Sequence, residues 1–267
     1  MKKSELKKSY KKQRKDLKED YKSEKESLKE KFIREFQLLR ANEIEEERAQ
    51  SSEKPPVNPP KRAPLEEIGN SVTHCVGAVL AVIALVLMCL YAEGVREYVG
   101  AGIYSFGLVI MFTMSCLYHS FPHGSRVKRI FRRFDYSSIY LLIGATFAPI
   151  LLCYVGGVFG LVFLIIQWVI IATGITLIGV FGPTRLKWIH FPLYILLGWV
   201  GVIFIPKMIK EGDLGFLFYI LGGGVIYSLG TIPFAIKGKC AHFIWHFFVL
   251  AGAIVQWFGI FFTIYRF

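Results

Sequence analysis

Residues 71–92, SVTHCVGAVLAVIALVLMCLYA, decide the fold of this chain. The stretch contains no charged residue. A helix of about 20 apolar residues is long enough to cross the roughly 30 Å of hydrocarbon in a bilayer. We therefore predict that these residues form a transmembrane helix.

Six more uncharged, apolar stretches follow without a pause. Apolar residues make up 54% of the chain and its mean hydropathy is +0.45, values that exclude a purely soluble enzyme. The connections are too short for a further folded domain. We predict an all-α fold, a seven-transmembrane helix bundle that occupies residues 66–267. The six additional spans are predicted at 99–120, 134–155, 158–181, 188–206, 214–236 and 242–264.

Lysine and arginine in the short connections predict how the bundle is oriented in the membrane. Eleven of these basic residues fall on one side of the predicted spans and four on the other. Basic residues in short loops stay preferentially in the cytoplasm. We expect a multi-pass protein of the cell membrane with a cytoplasmic N-terminus and the C-terminus outside. Membrane lipids are the expected partners, no nucleic-acid partner is predicted, and the oligomeric state does not follow from the sequence.

The N-terminal residues 1–50 form a charged arm with an eleven-residue repeat. KKSYKKQRKDL, KEDYKSEKESL and KEKFIREFQLL follow one another from Lys7 to Leu39. An eleven-residue period keeps a narrow apolar stripe on one side of a helix. We expect a solvated, partly ordered helix in preference to a coiled coil or an interfacial helix. A Pro-rich linker at 51–65 is predicted to separate the arm from the bundle.

Asp135 is the only formally charged residue inside the seven predicted spans. An ionisable residue in a membrane segment is costly, so it needs a partner or a purpose. The predicted span begins at residue 134, and a carboxylate at a helix start interacts favourably with the free backbone N–H groups. Helix capping and a role in a functional site are therefore both open for Asp135.

The predicted topology places all six histidines at the cytoplasmic ends of the helices. His242 and His246 are four residues apart, a spacing that puts two metal ligands on one helix face. Ser115 and His119 repeat this spacing on the second span. His123 and His190 are interpreted as loop and interface residues. Asn70 and His74 are also four apart, with Glu66 and Glu67 just before them. We favour Asn70 or Ser71 as the cap of the first helix over a role in substrate or metal binding.

Together, His119, His242 and His246 could hold Zn²⁺ with a fourth position open, as in catalytic zinc sites. Asp135 would then orient or deprotonate a water molecule, and Ser115 would bond to the polarised oxygen. The alternative is a set of unrelated polar residues at the membrane interface. A structural zinc normally has four protein ligands, and Cys116 and Cys240 are candidates for the fourth.

The chain from residue 66 to 267 resembles the hemolysin III family of seven-helix membrane proteins, which is related to the progestin and adiponectin receptors and more remotely to alkaline ceramidases. The matching strings are EEIGNSVTHCVGA, SCLYHSF, FRRFDYSSIYLLIGATFAP, LYILLGW and HFIWHFFVLAG. The resemblance implies a zinc ion on His119, His242 and His246, with Asp135 and Ser115 beside it as catalytic residues.

Two classes of function follow from these observations and from the resemblance. The first is a zinc-dependent hydrolase that acts on a lipid amide or ester from within the bilayer. The second is a non-catalytic membrane protein, either a sensor with a structural zinc or a cytolytic factor of the hemolysin type. Three histidine ligands without a convincing fourth favour the hydrolase.

Overall fold

The structure, a computed structural model, describes residues 3–50, 58–236 and 238–266. Within these ranges the chain is built from helices and their connections, and no strand occurs among the described residues. The chain divides into two compact units, Met1–Pro56 and Val57–Phe267. The all-α prediction is confirmed.

The first unit contains helix α1, Lys3–Gln50, a continuous helix of 48 residues. Its described side chains are exposed over residues 7–43. Of the linker predicted at 51–65, residues 51–57 lie outside the described part of the chain. Residues 58–63 have no regular structure, and Pro64 begins the next helix.

The second unit contains seven helical segments that are long and apolar enough to cross a membrane. This confirms the prediction of seven spans. Large apolar side chains such as Leu90 and Val158 are exposed on the outside of the bundle, as expected for a surface that faces lipid. The segments are α2 (Pro64–Tyr91), α3 (Val95–Ser120), α4 (Arg126–Pro149) with a π-helical end at Ile150–Val155, α5 (Gly157–Phe181), α6 and α7 within Lys187–Glu211, α8 (Leu214–Ala235), and α9 (Ala241–Ile260) with a π-helical end at Phe261–Tyr265.

Three of the spans change their helical geometry along their length, the seventh through its π-helical end at Phe261–Tyr265. The fifth consists of α6 (Lys187–Trp199), a 3₁₀ segment at Val200–Phe204, and α7 (Ile205–Glu211). In the third span, Pro149 ends the regular α-helix, because proline lacks the N–H that would continue the hydrogen-bond ladder.

Helix α3 packs between α2 and α4, and α9 packs against α2 and α8. Small residues permit the close approach of α8 to α9. A Cβ atom at Gly223 would lie 2.3 Å from Cγ of Gln256 on α9, too close for any side chain without rearrangement. This packing brings the end of α3 near the beginnings of α2 and α9.

The sequence predicted the ends of several helices better than their beginnings. Helix α2 starts at Pro64 and α4 at Arg126, whereas the apolar runs predicted starts at 71 and 134. The basic residues assigned to the loop before the third span lie in the first turns of α4. Their long side chains can follow the helix while their charged groups reach toward water, so hydropathy alone underestimates these helices.

We propose that the N-terminus of the bundle is cytoplasmic, in keeping with the bias of 11 to 4 basic residues. Alkaline phosphatase fused after Phe267 should then be active, because it folds only outside the cytoplasm. Green fluorescent protein at the same position should stay dark. The opposite pair of results would reverse the topology.

Candidate metal centre

Three histidines from two helices meet at one end of the bundle. His119 is the penultimate residue of α3, while His242 and His246 occupy the first two turns of α9. Their candidate ligand atoms all lie within 4.8 Å of one another. The Nε2 atoms of His119 and His242 are 3.3 Å apart. The structure thus brings together the three residues that the sequence suggested as metal ligands, and the cluster could hold a metal ion.

Helix α2 orients two of these imidazole rings through their second nitrogen. Nδ1 of His119 lies 2.5 Å from Oε2 of Glu67, and Nδ1 of His246 lies 3.1 Å from the backbone oxygen of Asn70. Histidines that bind metals usually donate the other ring N–H to a carboxylate or a carbonyl oxygen in this way. Both rings can therefore present Nε2 to an ion, so the donor set fits a metal such as zinc.

Glu67 is itself held in place by a buried cation. Nζ of Lys128 on α4 lies 3.0 Å from Oε1 of Glu67 and donates to the backbone oxygen of Phe121 at 2.9 Å. The Lys128 side chain is only 1% exposed, so its charge must be compensated inside the protein. The chain Lys128–Glu67–His119 links three helices and fixes the orientation of the candidate ligand.

The interpretation of Asn70 or Ser71 as the cap of the first helix is wrong, because α2 begins at Pro64, well before either residue. Asn70 is fully buried, and its Nδ2 lies 3.3 Å from Nδ1 of His119. Ser71 instead contacts α3, with its Oγ 2.8 Å from Oγ of Ser120. Asn70 therefore belongs to the surroundings of the metal centre.

His74 lies one turn beyond Asn70 on α2 and stacks on a candidate ligand. Its ring is 3.8 Å from the ring of His246, with an angle of 17° between the planes. Neither ring nitrogen of His74 has a hydrogen-bond partner among the described residues. The ring closes one side of the cluster without belonging to it.

Asp135 does not cap a helix, so this part of the earlier interpretation is also wrong. Helix α4 begins at Arg126, and its cap is Ser125, whose Oγ accepts a hydrogen bond of 3.0 Å from the backbone N–H of Lys128. Asp135 lies more than two turns into the helix. There its carboxyl group lies beside the hydroxyl of Ser115 and near the ring of His119.

Ser115 is buried one turn before His119 on α3, on the side that faces Asp135. Asp135 is not part of the three-histidine cluster, and serine is not among the usual zinc ligands. The position of both residues beside the cluster is compatible with action on a molecule bound at the centre. The two cysteines considered as a fourth ligand are also outside the cluster: Sγ of Cys116 lies 3.3 Å from Oγ of Ser71, and Cys240 is exposed.

The remaining two histidines lie away from the cluster. His123 is exposed in the turn between α3 and α4, as predicted for a loop residue. His190 was interpreted as an interface residue, but it is only 2% exposed, and its Nδ1 lies 3.0 Å from the hydroxyl of Tyr140. The His190 side chain thus lies inside the bundle, while its depth in the membrane stays a prediction.

A largely apolar cavity of about 250 Å³ lies next to the metal centre. None of the three clustered histidines lines it. Phe234 and Trp245 line the cavity, and the Phe234 ring lies 6.0 Å from that of His242. Tyr136, the neighbour of Asp135, lines the same space. The cavity therefore reaches the immediate surroundings of the centre but is separated from it by aromatic side chains.

The fold and this cluster define a class of protein: a multi-pass membrane protein of seven helices with a three-histidine centre that could hold a metal ion. Residues 63–257 match the family described as Haemolysin-III related, and the chain belongs to this hemolysin III family.

Curated relatives match about three quarters of the chain. The chain is 35% identical to Hemolysin-3 of Bacillus cereus over 204 residues, which is 74% of this chain and 92% of the relative. It is 34% identical to the Hemolysin-3 homolog of Bacillus subtilis over 202 residues, 74% of this chain and 93% of the relative. It is 28% identical to the human monocyte to macrophage differentiation factor over 207 residues, 75% and 85% of the two chains.

Glu67 and Lys128 were not recognised from the sequence, although a signal was present. Glu67, Asn70 and His74 follow one another at intervals of three and four, and therefore share one helix face. The predicted start at residue 71 placed Glu67 outside the helix, so Glu67 was not assigned to the face that carries Asn70 and His74. Lys128 gave no comparable signal, because it stands in a run of basic residues.

Glu67→Gln is expected to weaken metal binding about 10–100-fold, the usual effect of losing a carboxylate behind a histidine ligand. The change keeps the size of the side chain but removes the negative charge that faces His119 and Lys128. Titration of the metal-free protein with zinc would measure the effect. Glu66→Gln is the matched control, since Glu66 pairs with Arg62 at 3.9 Å and not with a histidine. Equal affinities for the two variants would contradict the assignment.

Proposed function

We propose that this protein is a zinc-dependent membrane hydrolase that acts on a lipid amide or ester. The observation that carries the proposal is the arrangement of the three histidines, whose candidate ligand atoms lie within 4.8 Å of one another while Asp135 and Ser115 stand beside them. Three protein ligands with polar groups alongside are typical of catalytic zinc sites. Structural zinc sites normally have four protein ligands.

His119, His242 and His246 would hold the zinc ion. When bound, zinc supplies Lewis acidity, which polarises a carbonyl group and makes water acidic enough to lose a proton near neutral pH. Glu67 and the backbone oxygen of Asn70 keep two of the imidazole rings in the orientation that this requires.

Asp135 is the candidate general base and acid of the reaction. Its carboxyl group lies near the centre without being a member of the cluster, so it is free to accept a proton from water and return it to the leaving group. Ser115 can donate a hydrogen bond from its hydroxyl to the carbonyl oxygen on which negative charge develops. Both groups are on the side of α3 and α4 that meets the histidines.

The adjoining cavity supports a lipid as the substrate. Its volume of about 250 Å³ and its apolar lining suit a hydrocarbon chain. Tyr136 and Phe234 connect its wall to Asp135 and His242, respectively. A lipid whose chain lies in the cavity would therefore carry its polar group toward the centre.

The second candidate function is non-catalytic, either cytolysis or sensing with a structural metal. It is favoured by the name Hemolysin-3, which belongs to the Bacillus cereus relative that is 35% identical. In that case neither Asp135 nor Ser115 would take part in hydrolysis of a lipid. Hydrolysis requires the side chains of Asp135 and Ser115, whereas the non-catalytic function does not.

The test combines metal analysis of the purified protein with lipid analysis of cells. Cells that lack the protein should accumulate an amide or ester lipid, and the wild-type protein should restore its hydrolysis. The Asp135→Asn variant should contain metal but should not restore it. Equal restoration by both proteins, or no change in any such lipid, would reject the hydrolase. Lysis of erythrocytes by the Asp135→Asn variant at the wild-type level would favour the cytolytic function.

A further inference from the structure

Helix α1 exposes a continuous stripe of large apolar side chains. The stripe recurs every eleven residues, with an aromatic residue four positions after each of the first three leucines, Leu6, Leu17 and Leu28. Its described side chains are 63–72% exposed. Large apolar groups in such a row usually mark a surface that another molecule covers. The described members of the stripe are Tyr10, Leu17, Tyr21, Leu28, Phe32 and Leu39.

The eleven-residue period of the stripe favours contact with a second helix over contact with a flat surface. Eleven residues of a straight α-helix turn about 20° beyond three full turns, so the stripe slowly winds around a single helix. Two helices can stay in contact along such a stripe if they coil around each other with a right-handed twist. A flat bilayer surface cannot follow the stripe in this way.

The residues on the two sides of the stripe carry opposite charges. One side consists of the positions that follow each leucine by one and by eight residues, and here we call it the basic flank. It contains no acidic residue among the described side chains, and Phe36 is its one uncharged member. Its basic members are Lys7, Arg14, Lys18, Lys25, Lys29 and Arg40.

The other side, called the acidic flank, consists of the positions that follow each leucine by three and by seven residues. It carries three carboxylates and one basic residue, Lys31. The uncharged members are Ser9 and Gln13 in the first repeat and Asn42 after the last. The carboxylates are those of Asp20, Glu24 and Glu35.

In place of the solvated single helix expected from the eleven-residue repeat alone, we propose that the α1 helices of two copies of this chain pair in parallel along the stripe. In a parallel pair related by a two-fold axis along the helices, the basic flank of each copy faces the acidic flank of the other. In an antiparallel pair, flanks of like charge would meet. Charges beside an apolar seam determine partner and orientation in coiled coils, so this pattern selects a parallel homodimer.

The charge pattern also argues against an anionic membrane as the partner. Helices that lie on such membranes carry lysine and arginine on both sides of the apolar face. In α1 the acidic flank would bring Asp20, Glu24 and Glu35 close to lipid phosphates. Basic residues predominate on only one side of the stripe. This fits a partner that offers an acidic flank, namely the α1 helix of a second copy.

Disulfide cross-linking in the full-length protein tests the pairing. The five native cysteines are first replaced by serine, and Leu28→Cys is introduced in membranes of the expression host. Position 28 of one copy faces position 28 of the other in a parallel pair, close enough for a disulfide. Glu30→Cys is the matched control, since it lies two residues on and on the opposite side of the helix. We expect a covalent dimer with Leu28→Cys and at least about a tenfold lower yield with Glu30→Cys.

Charge reversal then separates pairing from membrane binding. Added to Leu28→Cys, the changes Lys25→Glu and Lys29→Glu replace the basic residues nearest position 28 by carboxylates, so that acidic side chains face each other there. The changes Glu24→Lys and Glu35→Lys instead make both flanks predominantly basic. Each variant alone should lose about nine-tenths of the dimer, because like charges now face each other. Co-expression of the two, with tags of different size, should restore the dimer as a mixed species.

The proposal is overturned if Glu30→Cys cross-links as well as Leu28→Cys, or if co-expression fails to restore the mixed dimer. Protection of the lysine variant from protease by vesicles rich in phosphatidylserine, with no mixed dimer on co-expression, would assign the stripe to the membrane instead. Restoration of the mixed dimer, with neither variant dimerising alone, establishes the parallel pair.

Discussion

His246→Ala is expected to remove nearly all of the metal from the purified protein, and His119→Ala and His242→Ala should do the same. Each change deletes one of the three converging ligand groups. Changes behind a ligand already weaken metal binding about 10–100-fold, so loss of a ligand itself should exceed that range. Elemental analysis of the protein after dialysis against a weak chelator would measure the metal content per chain.

Two histidines serve as controls for this prediction. His123→Ala removes an exposed histidine from a turn and should leave the metal content unchanged. His190→Ala removes a buried histidine that contacts Tyr140, so it tests whether destabilising the bundle is enough to release metal. Full metal content in all three ligand variants would refute the centre. So would loss of metal in His123→Ala equal to that in His246→Ala.

The seven spans could be predicted from the sequence because apolar length is a local property. A run such as 158–181 cannot reach across a bilayer in any other regular form, and the structure places a helix at Gly157–Phe181. The starts of α2 and α4 could not be predicted equally well. Glu66, Glu67 and Lys128 are unfavourable by hydropathy, but Glu66 pairs with Arg62 four residues before it, and Glu67 pairs with Lys128 from another helix.

The three clustered histidines could be recognised from spacing and from their common depth in the membrane, since both follow from helix geometry. The partners of these histidines could not be recognised in the same way. Glu67 acts on His119 across 52 positions of sequence, and Asn70 acts on His246 across 176. Such contacts depend on which helices are neighbours, and hydropathy does not specify this.

The interpretation of Asp135 shows how one boundary changes a functional hypothesis. With a helix start at 134, capping explained the carboxylate without any further role. The structure begins α4 at Arg126 and satisfies its first turn with Ser125, so capping no longer explains Asp135. A carboxyl group beside Ser115 and His119 inside the bundle needs another reason, and proton transfer at the centre supplies one.

Asp135→Asn is expected to abolish lipid hydrolysis while the protein keeps its metal. Asparagine has nearly the same size but cannot accept the proton, and the loss of a general base typically costs about 10²–10⁴-fold in rate. The metal should remain because Asp135 is not one of the clustered groups. Hydrolysis of the lipid that accumulates in deficient cells, measured beside zinc content, would report both quantities on one preparation.

Serine variants complete this test, because they distinguish an effect at the metal centre from a general effect on the helices. Ser115→Ala should lower kcat more than it raises KM, since its hydroxyl is placed to act on charge that develops during the reaction. Ser138→Ala is the matched control. Ser138 is buried like Ser115 but lies on α4, and its Oγ donates to the backbone oxygen of Asp135 at 2.7 Å and not to the carboxyl group. If Asp135→Asn and Ser115→Ala both keep full function together with full metal content, the metal stabilises the bundle, and the non-catalytic function takes the place of the hydrolase.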